Sequence, residues 1–117
     1  MPPREPQALL EDALAQITDL QAKAVTGSLD ELLGSRDLQA IFERRFEVLG
    51  EALRRLERAD PIVFSRITGA REAIAMRNLI IHGYDGVDHR ILWSTSLHEL
   101  PAMRHSLECE LRRLLVP

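Results

Sequence analysis

Arginine, asparagine, histidine and tyrosine fall within one short run, Met76-Arg77-Asn78-Leu79-Ile80-Ile81-His82-Gly83-Tyr84, and their types could do chemistry together. The guanidinium of Arg77 is planar and always charged, a fork of donors suited to a phosphate or a carboxylate. His82 titrates near cellular pH and suits proton transfer. Asn78 could orient His82 or contact a phosphate, and Tyr84 adds a phenol. From Ala73 to Ile81 only Arg77 and Asn78 are polar. A helix apolar on all sides is a buried one, so this segment should run through a core or an interface. A buried arginine then needs an anionic partner, whether a carboxylate, a phosphate or water in a cleft.

Each residue also has a structural reading. Arg77 could be neutralised by Glu51 of the preceding long helix. His82 could sit at a helix end, where its positive charge suits the macrodipole. Tyr84 could be a packing ring with its hydroxyl at the surface. Geometry adds a constraint, because five residues of ideal helix separate two side chains by about 140°. Arg77 and His82 converge only if the last turn unwinds at Gly83 or if two chains line one cleft.

Other candidates are weaker. His89, His98 and His105 are spaced by nine and seven, not the three or four that sets two metal ligands side by side. No metal is expected. Arg44-Arg45, Arg54-Arg55-Arg58 and Arg112-Arg113 alternate with glutamates and read as solvated helix faces with i,i+4 pairs. Ser94, Ser96 and Ser106 lack a glycine-flanked elbow, and no phosphate-loop or dinucleotide glycine pattern is present. Cys109 falls inside the last helix and reads as packing.

The helices that must position the run are legible from periodicity. Leu10, Leu14, Ile17, Leu20 and Ala24 recur at threes and fours, and Ser28-Leu29-Asp30-Glu31 fits a capping box. A long helix from about Arg36 to Arg58 carries Phe42, Phe46, Leu49, Leu53 and Leu56 on one face, and Asp60-Pro61 ends it. A third starts near Phe64 or Ser65, with Ile67, Ala70, Ile74 and Ile81 on one stripe, and closes on Gly83 as a left-handed cap. Tyr84 to Val87 is a turn, Asp88 caps a fourth helix through Ile91, Leu92 and Trp93, and Pro101 kinks it or begins a fifth. The expectation is an all-α bundle of four to five helices.

The 117 residues suffice for one domain, 1–117. No apolar run approaches the ~18 residues that span a bilayer. Met1 to Pro6 lacks the order of a signal peptide, and the single cysteine excludes an intrachain disulfide. These features point to the cytoplasm. A net charge of -3 gives no global basic footprint, so any nucleic-acid contact must come from a local cluster.

Arg77-Asn78-Leu79-Ile80-Ile81-His82-Gly83-Tyr84 resembles the arginine, four residues, histidine, one residue, tyrosine pattern of the HepT-like proteins. These are toxins of the HEPN superfamily from bacterial and archaeal toxin–antitoxin pairs of type VII. Leu49-Gly50-Glu51-Ala52, Tyr84-Asp85-Gly86-Val87-Asp88, Ile91-Leu92-Trp93 and Leu100-Pro101 extend the likeness over nearly the whole chain. The resemblance implies a HEPN-type bundle that forms a homodimer through the motif-bearing helix. It implies metal-independent cleavage of RNA, with Arg77 and His82 catalytic and no cofactor. It also implies a partner, an MntA-like nucleotidyltransferase antitoxin that adds AMP to Tyr84. Neither a membrane nor specificity for DNA is expected. A non-catalytic helical module that binds a nucleotide or a partner, and a purely structural dimerisation domain, are the alternatives.

Overall fold

The computed structural model describes residues 4–83 and 86–116. Among these the chain forms helices alone: α1 (Arg4–Thr26), α2 (Leu29–Leu33), α3 (Arg36–Ala59), α4 (Pro61–Ser65), α5 (Ala70–His82), α6 (His89–His98) and α7 (Leu100–Leu115). The five long helices are those expected, α2 is the short turn that the Ser28 capping box opens, and α4 is one additional turn. Local chemistry sets most of their ends. Ser28 Oγ accepts the Glu31 N–H, Ser35 Oγ accepts the Leu38 N–H, and Asp88 accepts from the Arg90 N–H. Pro101 stands in the first turn of α7, so it begins a helix rather than kinking one.

The helix before the motif starts later than its pattern predicts. Asp60 both ends α3 and caps α4, accepting the Val63 N–H at 3.1 Å with Pro61 next in line. Gly69 then takes a left-handed φ of 77°, and the Thr68 N–H turns away to Ser106 of α7. The apolar stripe through Ile67 and Ala70 therefore spans two elements.

α1 and α3 make the centre, and α6 and α7 pack mainly on α1. Leu10, Ile17 and Leu20 meet Phe42, Phe46, Leu49, Leu53 and Leu56, with Leu92 and Leu107 closing the core. Burying each such side chain contributes roughly 1.5–3 kcal/mol. Polar ties fix the register: Arg45 reaches Asp19 and Gln16 across α1–α3, and Glu110, only 4% exposed, is held by Arg66 and Arg113. The Arg45–Asp19 pair spans two helices, unlike the i,i+4 pairing expected of that cluster. No helix among the described residues is long and apolar enough to cross a membrane.

The motif helix packs mainly against α3, and Gly50 makes the contact possible. A Cβ at Gly50 would run into Arg77 Cβ and lie 2.9 Å from the Ala73 carbonyl oxygen. Gly50→Ala should lower the unfolding free energy by about 1–3 kcal/mol in urea denaturation, because one helix must move. Gly34→Ala, whose added carbon meets the Asp30 carbonyl at 3.3 Å at an exposed helix end, should shift it by about 0.5 kcal/mol at most. Equal effects would mean that α3 and α5 do not touch at Gly50.

Candidate functional site

Because α3 presents bare backbone at Gly50, the stem of Arg77 lies directly on that helix and its head turns along it. The side chain is 21% exposed, and its Nε stands 3.4 Å from Glu51 Oε1. Glu51 also receives a two-pronged contact from Arg54, at 3.0 and 3.2 Å. Arg77 in turn donates to Asn78 Oδ1 at 2.9 Å. The anionic partner that the sequence required is thus a carboxylate of the same chain, and Asn78 is bonded to Arg77.

Arg77 opens onto a groove of about 270 Å³ between α1, α3 and α5. Asp12 lines it from α1, Arg44, Glu51 and Arg55 from α3, and Ile81 from α5. Basic and acidic groups are mixed there, so no continuous positive stripe forms. The Arg54 hydrogen bond, opposed in part by burial and aided by the charges of Arg54 and Arg77, holds the Glu51 carboxyl below the usual carboxylate range.

The helix is less buried than its composition implies. Only Ala70 and Ala73 are fully covered, Ile74, Met76 and Ile80 are partly so, and Leu79 and Ile81 are 66% and 44% exposed. The reading of α5 as a core helix of one chain is therefore corrected: only the flank facing α3 is buried. Ala75, Asn78, Leu79 and His82 form the solvent side.

Arg77 and His82 do not converge within one chain. α5 stays helical through His82, so the last turn does not unwind and the two side chains point about 140° apart. Gly83 does not adopt the left-handed cap that was expected; it sits at φ -81°, ψ 84°. Its lack of a side chain serves space instead, since a Cβ there would strike the Leu79 carbonyl. Tyr84 lies outside the described residues.

The remaining histidines are dispersed. His89 Nε2 lies 2.6 Å from Glu43, tying the start of α6 to α3, a pairing 46 positions apart that no local pattern announces. His98 ends α6 and His105 belongs to α7, so the two stand on different helices. Among the described residues no three potential ligands come together to hold a metal. Cys109 is half-buried beside His105 and Arg112 in α7. The Arg54 contact to Glu51 was missed by the sequence reading, although its i,i+3 spacing could have signalled it.

Comparison with known proteins follows the same lines. The model of the family described as ribonuclease HepT-like matches residues 10–109, which include both Arg77 and His82. A Methanocaldococcus jannaschii protein with the name Putative RNase MJ0125 is 28% identical over 113 residues, covering 92% of each chain. A Thermococcus cleftensis protein with the name Probable ribonuclease HepT is 29% identical over 102 residues, covering 85% of this chain and 89% of the relative. No solved structure matches.

Glu51 and Asp19 give the molecule an acid limit. Asp19 is also held below its ordinary value, first by the hydrogen bond from Lys23 and further by the charges of Lys23 and Arg45. A carboxyl depressed in the folded state contributes stability that is present above its unfolded value and lost as pH falls through the folded one. Stability should accordingly fall with pH below the ordinary values of 4.5 for Glu51 and 3.8 for Asp19. Urea midpoints measured down to about pH 3 should fall less steeply for Glu51→Gln than for the unaltered chain. An unchanged slope would mean that Glu51 does not carry the charge facing Arg77.

Proposed function

The chain belongs to the ribonuclease HepT-like family, and from that premise we propose that it is the toxin of a type VII-like toxin–antitoxin pair, a metal-independent endoribonuclease working as a homodimer. The observation that carries this reading is the two-sidedness of α5. Arg77 lies on the flank against α3, while Leu79 and His82 stand on the side open to solvent. A large apolar residue exposed beside a titratable one, with Ala75 a turn before, suits packing against the same helix of a second copy. Two-fold packing would bring two arginines and two histidines to one cleft. It would also supply the convergence that a single unbroken helix denies, and would concentrate positive charge in a chain whose net charge is -3.

The chemistry follows from the residue types. One histidine takes the proton of the ribose 2′-hydroxyl, and the freed oxygen attacks the adjacent phosphorus. The bond from phosphorus to the 5′-oxygen breaks, and the histidine of the second copy protonates that oxygen. Products are a 2′,3′-cyclic phosphate and a 5′-hydroxyl. Arg77 stabilises the charge on the pentacoordinate phosphorus through its fork of donors. Glu51 must yield this fork to the phosphate, and Arg54 is placed to retain Glu51 when it does.

Control is proposed at Tyr84, two positions beyond His82. A partner nucleotidyltransferase of the MntA type joins the phenol oxygen to the α-phosphorus of ATP and releases pyrophosphate. The added AMP brings negative charge and bulk to the entrance of the cleft, and both oppose RNA.

In a metal chelator, His82→Ala should slow RNA cleavage by about 10²–10⁴-fold while leaving the melting transition in place. Arg77→Lys should restore little, because a point charge replaces a fork. Leu79→Asp should give monomers by light scattering and lose cleavage with them. Cleavage at the unaltered rate by the His82 variant would overturn the catalytic assignment. Retained phosphate binding without turnover in the unaltered chain would favour a non-catalytic binding module.

With ATP, magnesium and a cognate nucleotidyltransferase, peptide mapping should place AMP on Tyr84, and cleavage should fall in step with labelling. Tyr84→Phe should refuse the label. Full labelling with undiminished cleavage would remove Tyr84 from the control mechanism.

A further inference from the structure

The flank of α5 opposite the Arg77 groove faces the corner between α6 and α7 across a cavity of about 370 Å³. Its walls are apolar: Phe46 from α3, Ala73 and Met76 from α5, and Leu100, Ala102 and Met103 from α7. This size falls in the range of cavities that take small organic ligands. The polar groups are confined to Thr68, Glu72, Thr95 and Glu99, and no arginine, lysine or histidine lines the space.

The two carboxylates line the cavity and are exposed to solvent. Asp19, Glu43, Glu47, Glu51, Glu57 and Glu110 each have a basic partner within ion-pair distance. Glu72 and Glu99 have none among the described residues, and Glu99 leads into α7 without a side-chain cap bond. An apolar cavity therefore ends in two exposed carboxylates without an ion pair, Glu72 feeling the charge of its neighbour Arg71 only at longer range. Such a field repels an anion and favours a cation over a neutral molecule of equal shape. A bare metal ion is not what the cavity suits, because two carboxylates and two hydroxyls on apolar walls leave it without a full oxygen shell.

We propose that this cavity is a binding site for a small organic cation, an apolar body of roughly ten heavy atoms ending in an ammonium group. The body fills the space between Met76 and Met103, and the ammonium group rests between Glu72 and Glu99. Met76 and Glu72 belong to the helix that carries Arg77, so a bound ligand braces α5 from the side that α3 leaves free. The site stands whether or not the chain cleaves RNA, since its argument uses none of the proposed catalytic residues.

The test compares three molecules of one shape: 4-phenylbutylammonium, 4-phenylbutanol and 4-phenylbutyrate. Binding is read by isothermal titration and by the methyl signals of Met76 and Met103. The ammonium compound should saturate and shift both methyl signals, the alcohol should bind more weakly, and the carboxylate should not bind. The double variant Glu72→Gln, Glu99→Gln leaves the walls intact and should cost the ammonium compound about three- to tenfold in affinity while sparing the alcohol. Ala102→Trp, at an exposed position of α7, should block both. Equal binding of alcohol and ammonium, indifference to the double variant, or shifts that miss Met76 and Met103 would each overturn the proposal.

Discussion

The contact that the rest depends on is the approach of α5 to α3 at Gly50. Helix axes come closest where side chains are smallest. Here one helix offers no side chain, so the Cβ of Arg77 and the carbonyl of Ala73 lie against its backbone. Three consequences follow. Arg77 cannot project away and must run along α3, where Glu51 meets it. The solvent side of α5 is fixed at Ala75, Asn78, Leu79 and His82. The other flank is left facing α7 across open space.

Charge in this molecule is organised by pairing rather than by excess. The chain has more acids than bases, yet its arginines are placed singly among carboxylates at short range. Glu51 is the instructive case, because Arg54 and Arg77 share it. With its pKa lowered it stays ionised at neutral pH, so Arg77 is neutralised but not buried beyond reach. A phosphate at the same guanidinium would have to compete with the Glu51 carboxylate, which Arg54 keeps close by.

Beyond His82 the chain is secured again by His89 against Glu43 and by the Asp88 cap. Phe42 and Trp93 stack beside them with ring centroids 6.1 Å apart. The connection that contains Tyr84 is thereby bounded by a helix end on one side and a pinned helix start on the other.

What the sequence determined by itself was whatever depends on near neighbours. Threes-and-fours periodicity marked the five long helices, and Ser28, Asp60-Pro61 and Asp88 marked helix boundaries. The run from Arg77 to Tyr84 marked the family, because residue types at fixed spacing survive without coordinates. Only the tertiary structure decided which flank of α5 is covered, since an all-apolar run says that burial is favourable but not what supplies it. It also decided that Arg77 pairs with Glu51, that Arg45 crosses to Asp19 and that His89 meets Glu43. Such pairs span many residues, and their distance is set by how whole helices pack rather than by any local rule. The separation of Arg77 from His82 belongs to both: helical geometry required it, and the persistence of α5 through His82 kept it.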